Sequence, residues 1–215
     1  MDPKALDKAA NRLRLARKAI ADMEAAENYQ EFSDNWYVFL SSWKNVYTVL
    51  EQGAKTSAQS RQWFGGKETF RKGDELLQYL FEARNADEHG LGSSTKMQPG
   101  SHIIGMTESG HSRNMVISFQ GFENNTVIGA GKAAAVFIGD LPPDLRVRPL
   151  DKMPVLSHHR PTTIFLADVI ARGPRTLRPP QIHLGQRLMD RSPLSAAKLA
   201  VAYADGLITE ASGLA

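Results

Sequence analysis

The fold is decided by an aromatic stretch near the N-terminus, FSDNWYVFLSSWKNVYTVL, which covers residues 32–50. Large apolar side chains recur in this stretch at spacings of three and four, the period of one helix face: Phe32, Trp36, Phe39, Trp43, Val46 and Leu50. Such spacing favours a packed core face over an exposed surface on which bases could stack. The stretch therefore predicts a long helix that forms one wall of a helical bundle.

A second stripe precedes this one and predicts its partner helix. It consists of Leu6, Ala9, Leu13, Ala16, Ile20 and Met23. Because only a short link at Glu27-Asn28 separates the two stripes, we expect an antiparallel helical hairpin. Farther along, the sequence predicts a short helix near residues 57–64 that stops at Gly65-Gly66, and a longer helix from about residue 68 to 89.

Helical periodicity is lost between residues 101 and 172, where short β-branched runs are separated by Gly, Asn and Pro. The runs are residues 102–104, 115–119, 135–138 and 162–166. They predict a small, mostly antiparallel sheet. Ser192-Pro193 is typical of a helix start and predicts a last helix over approximately residues 192–211, which could pack on the sheet or return to the bundle.

The expected class is therefore α+β, with an N-terminal antiparallel helical bundle followed by a small β-rich region and a C-terminal helix. We place the bundle at residues 1–93 and the β-rich region with its helix at 101–215. The N-terminus lacks the apolar segment of a signal peptide, and no apolar run approaches the roughly 18 residues of a membrane helix. We therefore expect a cytoplasmic protein that does not interact with membranes.

Neither a metal nor another cofactor is expected. The chain contains no cysteine, which excludes disulfides and thiolate metal sites. His158-His159 could be combined with His111 or His183, but these residues lack the spacing of metal ligands within one helix or hairpin. We interpret them as surface or loop histidines.

Basic residues are concentrated in the C-terminal half. Residues 144–191 contain nine Lys and Arg against four Asp and Glu, whereas the two signs nearly balance in residues 1–93. Nucleic-acid contacts are predicted for Arg146, Arg148, Arg160, Arg172 and Arg175. Because these arginines are scattered through Pro-containing loops, a solvated basic surface without a partner is the alternative.

The sequence RNADEHG, residues 84–90, stands at the end of the predicted helix that includes residues 77–89. Arginine can hold a phosphate bidentately, and histidine exchanges protons near neutral pH, so the two suffice for metal-free RNA cleavage. At 100° per residue, the polar side chains continue the buried stripe of Leu77, Leu80 and Phe81. We therefore expect them to face whatever packs on this helix.

The spacing alone is not specific, because Arg178 and His183 repeat it. Pro179 and Pro180 prevent a regular helix between them. We therefore interpret this second pair as unrelated to the first.

A helical bundle with Arg-Asn-x-x-x-His near the end of a helix resembles the HEPN superfamily. Its members are often metal-independent ribonucleases of toxin–antitoxin, phage-defence and RNA-processing systems. The resemblance covers residues 1–93 and implies that Arg84 and His89 are catalytic, with Asn85 as the polar residue commonly found after the arginine. It also implies a homodimer whose two motifs face each other across one cleft, with RNA as substrate and an antitoxin or other protein as a further partner. Residues 101–215 have no counterpart in the minimal family fold, and many members are inactive binding or assembly modules.

The chemistry of these residues suggests how such an enzyme would work. His89 acts as base toward an RNA 2′-hydroxyl or as acid toward the leaving 5′-oxygen, and the partner subunit's histidine makes the second proton transfer. Arg84 neutralises the pentavalent phosphorane, while Asn85 and Glu88 orient the pair. The products are a 2′,3′-cyclic phosphate and a 5′-hydroxyl.

The alternative is a structural role for the same segment. Arg84 and Glu88 are four residues apart and can form an ion pair on the helix surface. A histidine in the last turn interacts favourably with the helix dipole, and Gly90 is suited to end the helix.

Overall fold

The computed structural model describes residues 1–89, 93–108, 111–113, 125–130, 133–138, 155–171 and 175–215, with only the backbone described for His89 and for residues 101–160. Five helices lie in these ranges: α1 Pro3–Glu24, α2 Tyr29–Ala54, α3 Ala58–Gly73, α4 Glu75–His89 and α5 Pro193–Ser212. Together with short antiparallel strands they confirm the expected α+β class. The run 115–119 lies outside the described residues.

The strands in the described ranges are short: β1 Thr95–Gln98, β2 Ser101–Glu108, β3 His111–Arg113, β4 Asn125–Ala130, β5 Ala133–Ile138, β6 Val155–Arg160, β7 Thr163–Leu166, β8 Val169–Ile170, β9 Thr176–Leu177, β10 Ile182–His183 and β11 Gln186–Arg187. Strand β2 lies between β3 and β6, and its two ladders are antiparallel. Strands β4 and β5, β8 and β9, and β10 and β11 form three antiparallel pairs, while β1 pairs with β7.

The helical hairpin is confirmed. Helix α1 begins after Asp2 and α2 after Asn28, whose side chain accepts a hydrogen bond from the Glu31 backbone N–H at 2.9 Å. The whole aromatic stripe of α2 is buried. The two helices approach so closely that a Cβ atom on Gly53 would lie 2.4 Å from the Cβ of Ala5. The aromatic stripe is therefore core.

The chain divides into two compact units, residues 1–96 with 164–215, and residues 97–163. From the sequence we expected residues 101–215 to form one region, whereas the contacts group residues 164–215 with the helices. The reason is α5, which packs on α1 and α2. The Trp43 indole N–H donates to the carbonyl oxygen of Ala200 at 3.0 Å, and the contacting face of α5 is rich in buried alanines. The last helix thus returns to the bundle.

The expected helix break at Gly65-Gly66 is wrong. Helix α3 runs through both glycines to Gly73, and the break lies at Asp74, whose backbone is extended. The Asp74 carboxylate accepts the Leu77 N–H at 3.0 Å, which caps α4. Two glycines cost a helix about 1 kcal/mol each, and the packing of Phe64 and Ser60 in the interior offsets this cost.

Candidate functional site

The C-terminal end of α4 carries the Arg-Asn-x-x-x-His motif, and its arginine is paired with Glu88. Nη2 of Arg84 donates to Oε1 of Glu88 at 2.6 Å, and Nη1 contacts Oε2. The Arg84 side chain is 20% exposed, and its buried Nε–H has no partner among the residues that the structure describes. The guanidinium therefore lies at the edge of the bundle, with its two outer nitrogens, Nη1 and Nη2, bound to one carboxylate.

Asn85 is held by residues on both sides. Its Oδ1 accepts from Nζ of Lys44 at 2.5 Å, and its Nδ2 donates to Oε2 of Glu82 at 3.2 Å. Lys44 Nζ also lies 4.6 Å from the centroid of the Phe81 ring. Helix α2 thus brings a second cation to the motif. Sequence reasoning missed Lys44, because nothing near residues 84–89 marks a lysine forty residues earlier.

Asp87, inside the motif, connects α4 to the chain that leads into β1. Its carboxylate accepts the N–H of Ser94 at 3.0 Å and the Ser94 hydroxyl at 2.8 Å. Burial raises the pKa of Asp87, and the two bonds from Ser94 act in the opposite direction. The Trp36 indole donates to Ser94 Oγ at 2.9 Å. The last turns of α4 are therefore held against α2 and β1.

The other predicted site residues are placed only in part. His89 is the last residue of α4, and its side chain and Gly90 lie outside the described residues. The same holds for Arg146, Arg148 and Arg172, and Arg160 is described only as a backbone position in β6. Arg175 is exposed beside β9. The structure thus brings together Arg84, Asn85 and Glu88, and the basic surface stays a prediction.

The N-terminal end of α4 carries a buried Asp–His pair that sequence reasoning missed. Nδ1 of His183 lies 3.0 and 3.2 Å from the two oxygens of Asp74, and both side chains are at most 5% exposed. The same carboxylate accepts the backbone N–H of Leu184 at 2.8 Å. From the sequence we expected a surface or loop histidine here. His183 is instead a buried residue of β10.

Arg71, three residues before Asp74, is also buried. Arg71 stands over the Phe81 ring at 3.8 Å and donates from Nη1 to Oε1 of Gln78 at 3.0 Å. Burial lowers the pKa of Arg71 and raises that of the neighbouring Tyr47 hydroxyl. Because the Arg71 guanidinium is enclosed by α2, α3 and α4, its role is to hold these helices together.

In the described ranges, no cluster of three or more His, Asp or Glu side chains is close enough to hold a metal ion. Nor do the helices in those ranges include one with the length and apolar character needed to cross a bilayer.

No family model matches the chain, and neither a curated protein nor a solved structure is significantly similar to it. The resemblance to the HEPN superfamily therefore rests on the motif of residues 84–89 and on the helical bundle that carries it. It stays a prediction.

Proposed function

We propose that this chain is a cytoplasmic, metal-independent endoribonuclease of the HEPN type, with a toxin, phage-defence or RNA-processing role. The observation that carries the proposal is the bidentate contact between the Arg84 guanidinium and the Glu88 carboxylate. The guanidinium lies at the edge of the bundle and presents its two Nη atoms to a single carboxylate. A phosphate accepts the same bidentate pattern, so an RNA phosphate can replace Glu88 on these two nitrogens.

In this mechanism the chain's own residues divide the work. Arg84 binds the scissile phosphate and neutralises the charge that develops on it. His89 takes the proton of the 2′-hydroxyl, whose oxygen then forms a bond to phosphorus while the bond to the 5′-oxygen breaks. The 5′-oxygen receives a proton from the partner subunit's histidine in a homodimer. Lys44 fixes Asn85 and adds positive charge beside the motif.

One observation favours a second candidate, a catalytically inactive module that binds nucleic acid or protein or has only a structural role. The Arg84–Glu88 pair is the ion pair that a finished helix end would carry, and both of its nitrogen–oxygen contacts are made. If that pair is permanent, the Nη atoms of Arg84 are not available to bind a phosphate. An antitoxin or another protein would then be the partner to expect.

Cleavage of labelled RNA by the purified protein in EDTA separates the two candidates. We expect products with 2′,3′-cyclic phosphate and 5′-hydroxyl ends, and no cleavage of DNA of the same sequence, because DNA lacks the 2′-hydroxyl. Arg84→Ala and His89→Ala should each abolish cleavage. Arg178→Ala, at an exposed arginine that also stands five residues before a histidine, is the matched control and should cleave normally. Unchanged cleavage by both motif variants would refute the ribonuclease.

A further inference from the structure

A cleft of about 560 Å³ opens beside the buried His183, at the opposite end of α4 from the motif. It lies between the β10–β11 hairpin and the first turns of α5. Leu188, Leu199 and Tyr203 supply apolar wall, while His183, Arg187 and Ser195 supply polar atoms. Both the volume and this mixture are typical of small-molecule sites.

His183 is oriented so that one ring nitrogen serves this cleft. Its Nδ1 edge faces Asp74, whose carboxylate also accepts two backbone N–H groups, from Leu77 and Leu184. In the neutral imidazole, an acceptor in that position favours the tautomer with hydrogen on Nδ1, which leaves a lone pair on Nε2. His183 is only 5% exposed, and no residue in the described part of the chain hydrogen-bonds its Nε2. An accessible acceptor without a partner in the described ranges is thus left for something that enters the cleft.

The charges around the cleft favour an anion. Arg187 is exposed on the cleft wall, and Arg191 lies in an adjoining depression that shares Arg187 with it. Neither arginine is paired within the described ranges. Asp190 is the carboxylate of the cleft, and its oxygens already accept the Ser192 N–H at 2.8 Å and the Ser192 hydroxyl at 2.9 Å. Across the cleft and the adjoining depression, two arginines stand against this one carboxylate, so one positive charge is in excess.

Tyr203 gives the cleft an aromatic wall that is rigidly held. Its ring stands edge-on to His183, with centroids 6.1 Å apart, and stacks on Phe70 with centroids 5.9 Å apart and planes 12° apart. Burial, with the nearby carboxylates of Glu210 and Asp74, raises the pKa of Tyr203 to about 12. Its hydroxyl therefore stays protonated at neutral pH, and its ring offers a fixed surface for a flat ligand.

We propose that this cleft binds a small phosphate monoester whose body combines a flat ring system with a hydrogen-bond donor. The phosphate pairs with Arg187, the body packs against Tyr203, and a hydroxyl or N–H of the body donates to Nε2 of His183. The site does not depend on the ribonuclease proposed for the other end of α4. A nucleoside monophosphate combines a phosphate, a flat ring system and hydroxyl donors in one molecule, and AMP is the probe.

Titration of the whole chain with AMP, observed through the imidazole nitrogens of His183 by NMR, tests the proposal. We expect AMP to shift the Nε2 signal, while adenosine and inorganic phosphate bind at least about tenfold more weakly, because each lacks part of the ligand. Arg187→Ala should weaken AMP binding about tenfold, the value of one charge-assisted contact. Arg178→Ala, an exposed arginine outside the cleft wall, is the matched control and should bind AMP normally.

The proposal would be overturned if AMP bound no more tightly than inorganic phosphate, or if AMP left the Nε2 signal unmoved. It would also be overturned if the Arg187→Ala and Arg178→Ala variants lost AMP affinity equally. Tighter binding of a 5′-phosphorylated RNA strand than of AMP would show that the ligand is RNA and not a small molecule. His183→Gln assigns the Nε2 signal. If that variant does not fold, the AMP affinities of the two arginine variants, measured by calorimetry, decide the proposal alone.

Discussion

The two ends of α4 each carry an acid–base pair, and the pairs differ in every physical respect. Asp74 and His183 are 109 residues apart in the chain and buried, and their carboxylate also caps the helix. Arg84 and Glu88 are four residues apart and lie at the edge of the bundle. Helix geometry brings the second pair together without help from the rest of the fold. The first pair exists only because the β10–β11 hairpin docks on α4, so it stabilises tertiary structure.

The sharpest test of this difference is Asp74→Ala. It removes the cap of α4 and leaves the buried His183 ring and the partly buried Leu184 N–H without an acceptor. We expect the free energy of unfolding to fall by about 3–5 kcal/mol, the cost of breaking a buried pair. Urea denaturation measures it. Asp22→Ala, which removes the carboxylate of the exposed pair with Lys18, is the control and should cost under about 1 kcal/mol. A loss that small for Asp74→Ala would mean that the buried pair does not stabilise the fold.

A smaller effect is expected in the turn that carries His183. Leu184 has a φ of 52° and Gly185 a φ of 75°, and together they close the two-residue turn between β10 and β11. Both positions require the left-handed region, where leucine is strained and asparagine is not. Leu184→Asn should raise the free energy of unfolding by about 1 kcal/mol. In the same denaturation assay Gly185→Ala should lower it, and a destabilised Leu184→Asn variant would contradict the strain argument.

Asp87, near the C-terminal end, predicts a pH dependence. Because its pKa is raised in the folded protein, the folded state holds the proton to higher pH than the unfolded chain. Its contribution to stability is complete below the ordinary carboxyl pKa and is lost as pH rises through the raised value. The difference in unfolding free energy between the wild type and Asp87→Asn should therefore grow in favour of the wild type from about pH 7 to pH 4. A difference independent of pH would show that Asp87 titrates as it does in the unfolded chain.

The smallest effect belongs to the motif's own ion pair. Glu88→Gln removes the charge opposite Arg84 and should lower the unfolding free energy by only about 0.3–0.5 kcal/mol, as for other pairs at this spacing. Salt should diminish even this difference. If Glu88→Gln instead costs as much as Asp74→Ala, the pair has a structural role that its place at the bundle edge does not suggest.

Local features of the fold were predictable from the sequence. The starts of α2 and α5 follow from Asn28 and Ser192, and their faces from the three-and-four spacing. Gly65-Gly66 misled the prediction, because the cost of glycine in a helix is small enough for packing to offset. Asp74 could not be predicted as a break either, because in the sequence it is one more polar residue within a helical pattern. Its bonds to the Leu77 N–H and to residues 183 and 184 show why the helix breaks there.

In the candidate sites, too, features within one helix were predictable and contacts between elements were not. Arg84, Asn85 and Glu88 could be placed on one helix end from their spacing. The contacts from other elements were not predictable: Lys44 of α2 binds Asn85, and Ser94 before β1 binds Asp87. His183 was set aside because two prolines precede it, yet prolines exclude only a helix and say nothing about burial. Spacing identifies residues that share an element, whereas contacts between elements need the fold.

The docking of α5 has a consequence for synthesis. Helices α1 to α4 leave the ribosome more than a hundred residues before α5, so Trp43 and the apolar face around it lack the cover of α5 during that time. Contacts so distant in sequence slow folding and leave a collapsed intermediate open to aggregation. We expect the Trp43 indole, buried against Ala200 in the finished protein, to report by its fluorescence the moment at which the last helix closes the bundle.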